Sequence, residues 1–94
     1  MDLEVQWNLE KNEELRARFG FGFERAVIAI TDGMLLAERA HPNEAKYAHQ
    51  RQFVIEIDGY VWVVPFVRDG SVVFLKTMFP SRTATREFFG DRHA

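Results

Sequence analysis

Gln52-Phe53-Val54-Ile55-Glu56-Ile57-Asp58-Gly59-Tyr60-Val61-Trp62-Val63-Val64-Pro65-Phe66-Val67-Arg68-Asp69-Gly70-Ser71-Val72-Val73-Phe74-Leu75 is the segment on which the fold turns. Phe53, Ile55 and Ile57 alternate with Gln52, Val54 and Glu56, the period of two that belongs to a strand. Asp58-Gly59 is a two-residue hairpin signal, because both positions tolerate the positive φ that a tight turn requires. Residues 60–67 return with Val61, Trp62, Val63, Val64 and Phe66 apolar on both faces, the mark of a central strand covered on both sides. Pro65 has no N–H to give the ladder, so a bulge or a local edge is expected there. Asp69-Gly70 makes a second hairpin, and residues 72–75 form the next strand.

Outward from this core the period changes. Residues 34–40 extend the strand pattern. Before them, Phe23, Ala26, Val27 and Ile30 fall at i, i+3, i+4 and i+7, a helical apolar face closed by Asp32-Gly33. Asn8 can cap an earlier helix from Leu9 to Phe19, stopped by Gly20, whose apolar stripe is only Leu15 and Phe19. Val5 and Trp7 alternate with Glu4 and Gln6 as a short first strand. At the other end, Ser81 is an N-cap and Gly90 a stop for a last short helix. The order predicts one α+β domain over residues 1–94. Two N-terminal helices pack on one face of a small antiparallel sheet of four to five strands, with a short C-terminal helix. Trp7, Trp62, Phe66 and Phe74 are expected in the core and not as base-stacking platforms.

Composition narrows the function classes. The chain is 47% hydrophobic with nine Phe, which fits a folded domain, and 94 residues suffice for a single core. It has no cysteine, so disulfides, thiolate zinc sites and cysteine nucleophiles are excluded. No apolar run approaches the ~20 residues of a membrane span and no leader pattern opens the chain, so no membrane association and a cytoplasmic location are expected. The net charge is −2 but unevenly spread. Residues 1–24 carry a net −3, whereas residues 76–94 carry +2. The basic end includes Lys76, Arg82 and Arg86.

No spacing of histidines and acids suits a metal, no cofactor motif occurs, and Gly20 and Gly22 do not form a phosphate loop. Ser71 and Ser81 fall in a turn and a cap, not in a nucleophile elbow. What remains is an acid, base and cation set: His41, Glu44, Lys46, Tyr47, His49 and Arg51 in or beside one polar loop, and Lys76, Arg82 and Arg86 near the C-terminus. Two arginines four residues apart at a helix start oppose the helix dipole unless an anion binds there, and phosphate is the usual one. Cleavage of RNA by its own 2′-hydroxyl needs a base, an acid and cations on the phosphate, without metal. Histidine, titrating near working pH, suits the first two roles.

Val5-Gln6-Trp7-Asn8-Leu9-Glu10-Lys11-Asn12 is similar to the W-x-x-x-K-N opening of BrnT-like toxins in the RelE/ParE superfamily. Phe19-Gly20 followed by Phe23-Glu24 resembles their step into the second helix, and Phe79-Pro80-Ser81-Arg82-Thr83-Ala84-Thr85 resembles their C-terminal arginine segment. The resemblance is collinear over nearly the whole chain. It implies a metal-independent endoribonuclease that stops translation by cutting RNA, free or on the ribosome. It also implies a neutralising antitoxin of ribbon-helix-helix type, through which operator DNA is reached. Arg82 then matches the motif arginine that binds the scissile phosphate, with Lys76 or Arg86 supporting charge, and Lys11 joins the RNA-binding residues. His41 or His49, with Glu44 and Tyr47, would supply acid and base. Lys46 and Arg51 would hold RNA. The superfamily also includes members that inhibit gyrase without catalysis, so a protein-binding toxin or an inactive relative is the alternative.

Overall fold

A computed structural model describes residues 4–90. The third histidine, His93, lies outside them. In chain order the elements are β1 (Glu4–Trp7), α1 (Leu9–Phe19), α2 (Phe23–Thr31), β2 (Leu35–Ala40), β3 (Gln50–Ile57), β4 (Tyr60–Asp69), β5 (Val72–Leu75), β6 (Phe79–Pro80) and α3 (Arg82–Phe89). The α+β class expected from the sequence is the one observed.

The sheet itself corrects the expectation in one respect. It is mixed, not antiparallel: the order is β1-β5-β4-β3-β2, and β1 runs parallel to β5 with Glu4 opposite Val72 and Trp7 opposite Leu75. No turn signal announces such a pair, because parallel strands meet through a long crossover and not through a hairpin. The two-residue β6 makes a sixth strand, antiparallel to β4 at Trp62 and Val63. Asp58 and Gly59 both take positive φ, 51° and 82°, as the tight β3–β4 turn requires.

Pro65 is accommodated as a local edge. The β3–β4 register runs unbroken through Gln52 opposite Pro65. On the other side of β4, pairing with β5 stops at Phe66 and pairing with β6 starts at Val63. Pro65 sits in that gap, where its missing N–H costs nothing and its carbonyl accepts from the Lys76 N–H at 2.8 Å. The ladder irregularity falls elsewhere, between Leu35 and Ala37 on β2.

Strand alternation divides the core into two layers. Phe53, Ile55 and Ile57 of β3 join Trp62, Val64 and Phe66 of β4 beneath Leu15 of α1 and Phe23, Ala26 and Ala29 of α2. Val54, Val61 and Val63 point the other way and are covered by Ala84, Phe88 and Phe89 of α3. Buried apolar area of this kind, worth roughly 25 cal/mol per Å², is the main favourable term holding the layers together.

Two polar side chains lock the helices. Asn12 on α1 is buried, and its Oδ1 accepts the Phe23 N–H at 2.7 Å while its Nδ2 donates to Glu24. Gly22, at the N-cap of α2, makes no side-chain cap bond, so α1 caps α2 from outside. Thr85, buried on α3, accepts the Val61 N–H at 2.9 Å and donates to the Ser81 carbonyl at 2.7 Å. Ser81 in turn caps α3 by accepting from the Ala84 N–H, and its own N–H donates to Val61.

Candidate functional site

α3 covers only part of its sheet face. Its core partners lie toward the β3–β4 hairpin, and none of Gln6, Gln50, Val67 or Phe74 belongs to that cluster. These four residues form one row across β1, β3, β4 and β5: Gln50 opposite Val67, Val67 opposite Phe74, Phe74 opposite Gln6. Gln50, Val67 and Phe74 are half-buried and Gln6 is exposed. The neighbouring row carries Arg39, Gln52 and Pro65, with Lys76 bonded to Pro65 through its backbone N–H. His41 is next after Arg39 in the same alternation, and its N–H donates to the Gln50 carbonyl at 3.3 Å.

The polar segment, residues 41–49, folds back on itself over this end of the sheet. The Tyr47 N–H donates to the Asn43 carbonyl and the Gln50 N–H to the Tyr47 carbonyl, both at 2.9 Å. The Asn43 side chain accepts the Lys46 N–H, an Asx-type turn. The His41 and Tyr47 rings are in tilted contact, centroids 4.3 Å apart with planes at 34°, and the Lys46 ammonium sits 5.3 Å from the Tyr47 centroid. His41 Nδ1 accepts the Asn43 N–H at 3.0 Å. That bond requires a lone pair on Nδ1, so the proton of the neutral ring is on Nε2.

The other expected site residues are dispersed over the fold. Lys76 is exposed, with its ammonium 5.4 Å from the Phe74 centroid, so it belongs to the open face. Glu44 and His49 are exposed on the turn. Arg51 points to the α1/α2 side of the sheet, where its Nε donates to Glu38 at 3.0 Å beside Arg68. Lys11 lies on α1, and its backbone N–H is taken by the Asn8 side chain in the helix cap. Neither shares the face with His41.

Arg82 begins α3 at the far end of β4, whereas Arg86 is in the last turn of the helix, beside Glu87. Ser81 is bonded to Val61, whereas the His41 turn is tied through Gln50 to Val67, six strand residues or roughly 20 Å away. On α3 the two arginines share one flank, and Glu87 lies on the other. It is the Glu87 flank that looks toward the His41 end, because Glu87 meets Arg39. The sheet thus brings together His41, Tyr47 and Lys46, places Lys76 on the same face three strands away, and does not bring Arg82 to them.

Arg39 is the residue that sequence reasoning passed over. Its Nη1 and Nη2 bind both Glu87 carboxylate oxygens, at 2.8 and 3.2 Å, and its guanidinium stands 5.8 Å from the Phe88 centroid. The hydrogen bond to Arg39, with the guanidinium charge behind it, holds the Glu87 carboxyl below the usual carboxylate range, and slight burial offsets only part of this. The one available signal was the spacing of Arg39 two residues before His41, which strand alternation converts into a shared face.

Comparison with protein-family models, with curated proteins and with solved structures finds no match to this chain.

Proposed function

We propose that the chain is a toxin-like endoribonuclease that cuts RNA by in-line attack of the 2′-hydroxyl. A base in the turn takes the 2′-hydroxyl proton, the 2′-oxygen attacks phosphorus, the 5′-oxygen leaves with a proton from an acid, and a 2′,3′-cyclic phosphate remains. The observation that carries this proposal is the shared open face of His41, Tyr47, Lys46 and Lys76, an acid/base and cation group half-exposed beside aromatic rings. His41, its Nδ1 engaged by the Asn43 N–H, donates from Nε2 to a phosphate oxygen; the base is then His49 or Glu44. Lys46, beside Tyr47 and His41, neutralises the crowded phosphate, and Lys76, three strands away beside Phe74, holds a neighbouring one. Arg82, nearer the hairpin end, holds the RNA further along the chain. A DNA-binding antitoxin, of ribbon-helix-helix type, would neutralise the enzyme by covering this face, and a short abutting reading frame with that pattern would support the pairing.

Purified protein is incubated with total RNA, with and without ribosomes. Cleavage in either condition, reduced about a hundredfold or more by His41→Ala and to a lesser extent by Lys76→Ala, is the expected result. No cleavage in both conditions overturns the proposal. It would then favour a non-catalytic protein-binding toxin, for which a specific feature exists: a groove of about 490 Å³ between α2 and the sheet, lined by Val27, Ile30, Phe53 and Leu75 together with Glu38 and Arg68.

A further inference from the structure

The same open row ends in two ring-and-cation pairs. At the β2–β3 end stand His41 and Tyr47 with Lys46, and at the β5 end stands Phe74 with Lys76. Phe74 belongs to neither core cluster, although an apolar strand residue of this size is ordinarily packed. Between the two rings lie Gln50 and Val67, side chains that present no charge and only moderate bulk. We infer that this row is a binding track for a single-stranded stretch of RNA, with one base stacked on Tyr47 and another on Phe74. This rests on the proposed RNA substrate and specifies its form.

The spacing supports a single strand. β2 to β5 spans three strand intervals of about 4.8 Å, roughly 14 Å between platforms. Bases stacked in a duplex strand rise about 3.4 Å per nucleotide, so two platforms this far apart hold bases separated by a few nucleotides, splayed from one another. A duplex keeps its bases paired and stacked inward and has no free ring face to offer either platform. Each platform has its own ammonium within reach of a neighbouring phosphate, and stacking on an aromatic ring accepts any base. The track therefore predicts strand selectivity without a stringent sequence requirement at the stacked positions.

The test uses fluorescence anisotropy with the full chain and all-deoxy oligonucleotides, which lack the attacking 2′-hydroxyl and cannot be cut. A single-stranded tetramer should bind more tightly than a dimer of the same composition, and than a duplex carrying the same strand. Tyr47→Leu and Phe74→Leu, which keep apolar bulk, should each weaken tetramer binding by about tenfold and leave dimer binding less affected. Circular dichroism confirms that both variants are folded. Equal affinity for single strand and duplex, or tetramer binding unchanged in both leucine variants, overturns the track. If ribo-substrates are still cleaved in that case, the proposed nuclease stands without it. Tetramer binding that needs both rings, with no cleavage of any RNA, leaves the track standing and removes the nuclease.

Discussion

Asn12 and Gly22 show how much one contact can specify. A Cβ at Gly22 would stand 2.1 Å from Asn12 Oδ1, far inside contact distance, although the backbone there is extended at φ −120° and open to any residue. Glycine is therefore required by the neighbour and not by the torsion. Gly22→Ala should cost about 1–3 kcal/mol through overpacking, and Asn12→Ala a similar amount by leaving the buried Phe23 N–H unpaired. The two effects should not add: with Asn12 already truncated, the alanine at 22 meets no oxygen, and urea melts of the double-mutant cycle should return a coupling of at least about 1 kcal/mol. Asn12 was legible only as a letter in a motif, since its partner lies eleven residues on, beyond any local spacing rule. At His41 the same scale bears on chemistry. The bond from Asn43 places the neutral proton on Nε2, so ¹⁵N-edited NMR at mildly basic pH should show the Nε2–H tautomer. His41→Gln, whose amide donates near that position, should retain at least about a tenth of the cleavage rate, whereas His41→Ala falls about a hundredfold.

α3 is a short helix made stable by what holds its two ends. At its start, Thr85 and Ser81 complete the exposed side of β4 at Val61, acting where a further strand would otherwise pair. Thr85→Val keeps the shape but orphans the buried Val61 N–H, and should destabilise by about 1–3 kcal/mol in urea melts; Thr85→Ser, which keeps the oxygen, should cost less. Its far end is tied by Glu87 to Arg39. Because pairing lowers the folded-state pKa of Glu87, this contact stabilises above the usual carboxylate value of 4.5 and is lost as pH falls through the lower folded value. The pair is largely exposed, so Glu87→Gln should cost less than about 1 kcal/mol at pH 7, and the difference from the unaltered chain should vanish on acidification. The helix itself was readable from Ser81 and Gly90. Its orientation was not, since that depends on contacts between residues 24 and 48 positions apart in the chain.

Across the whole molecule, hairpins and helices that follow one another were legible because turn residues and apolar periods are local signals. The two-sided cover of β4 was legible in its unbroken apolar run from Val61 to Phe66, but the parallel β1–β5 pair and the location of the open face arise from long-range docking, which no window of the sequence contains. That difference decides how Arg82 should be viewed. As a cation at a helix start it invites a phosphate, and the resemblance of its motif to BrnT-like toxins leads one to expect the scissile phosphate there. The fold, however, anchors α3 at Val61 and the His41 turn at Val67, roughly 20 Å apart, and turns the arginine flank of α3 away from Arg39. A tetranucleotide seated between Tyr47 and Phe74 spans roughly 14 Å of the sheet and does not extend to Arg82. Arg82→Ala should therefore leave cleavage of a tetraribonucleotide within about threefold of the unaltered chain, yet slow cleavage of a long RNA by tenfold or more through one lost phosphate contact. Raising the salt concentration should shrink that second effect, because an exposed cation acts on RNA through a screened charge. If Arg82→Ala abolishes cleavage of the tetranucleotide as completely as His41→Ala does, the two residues work on one phosphate, and α3 must move toward the turn when RNA binds.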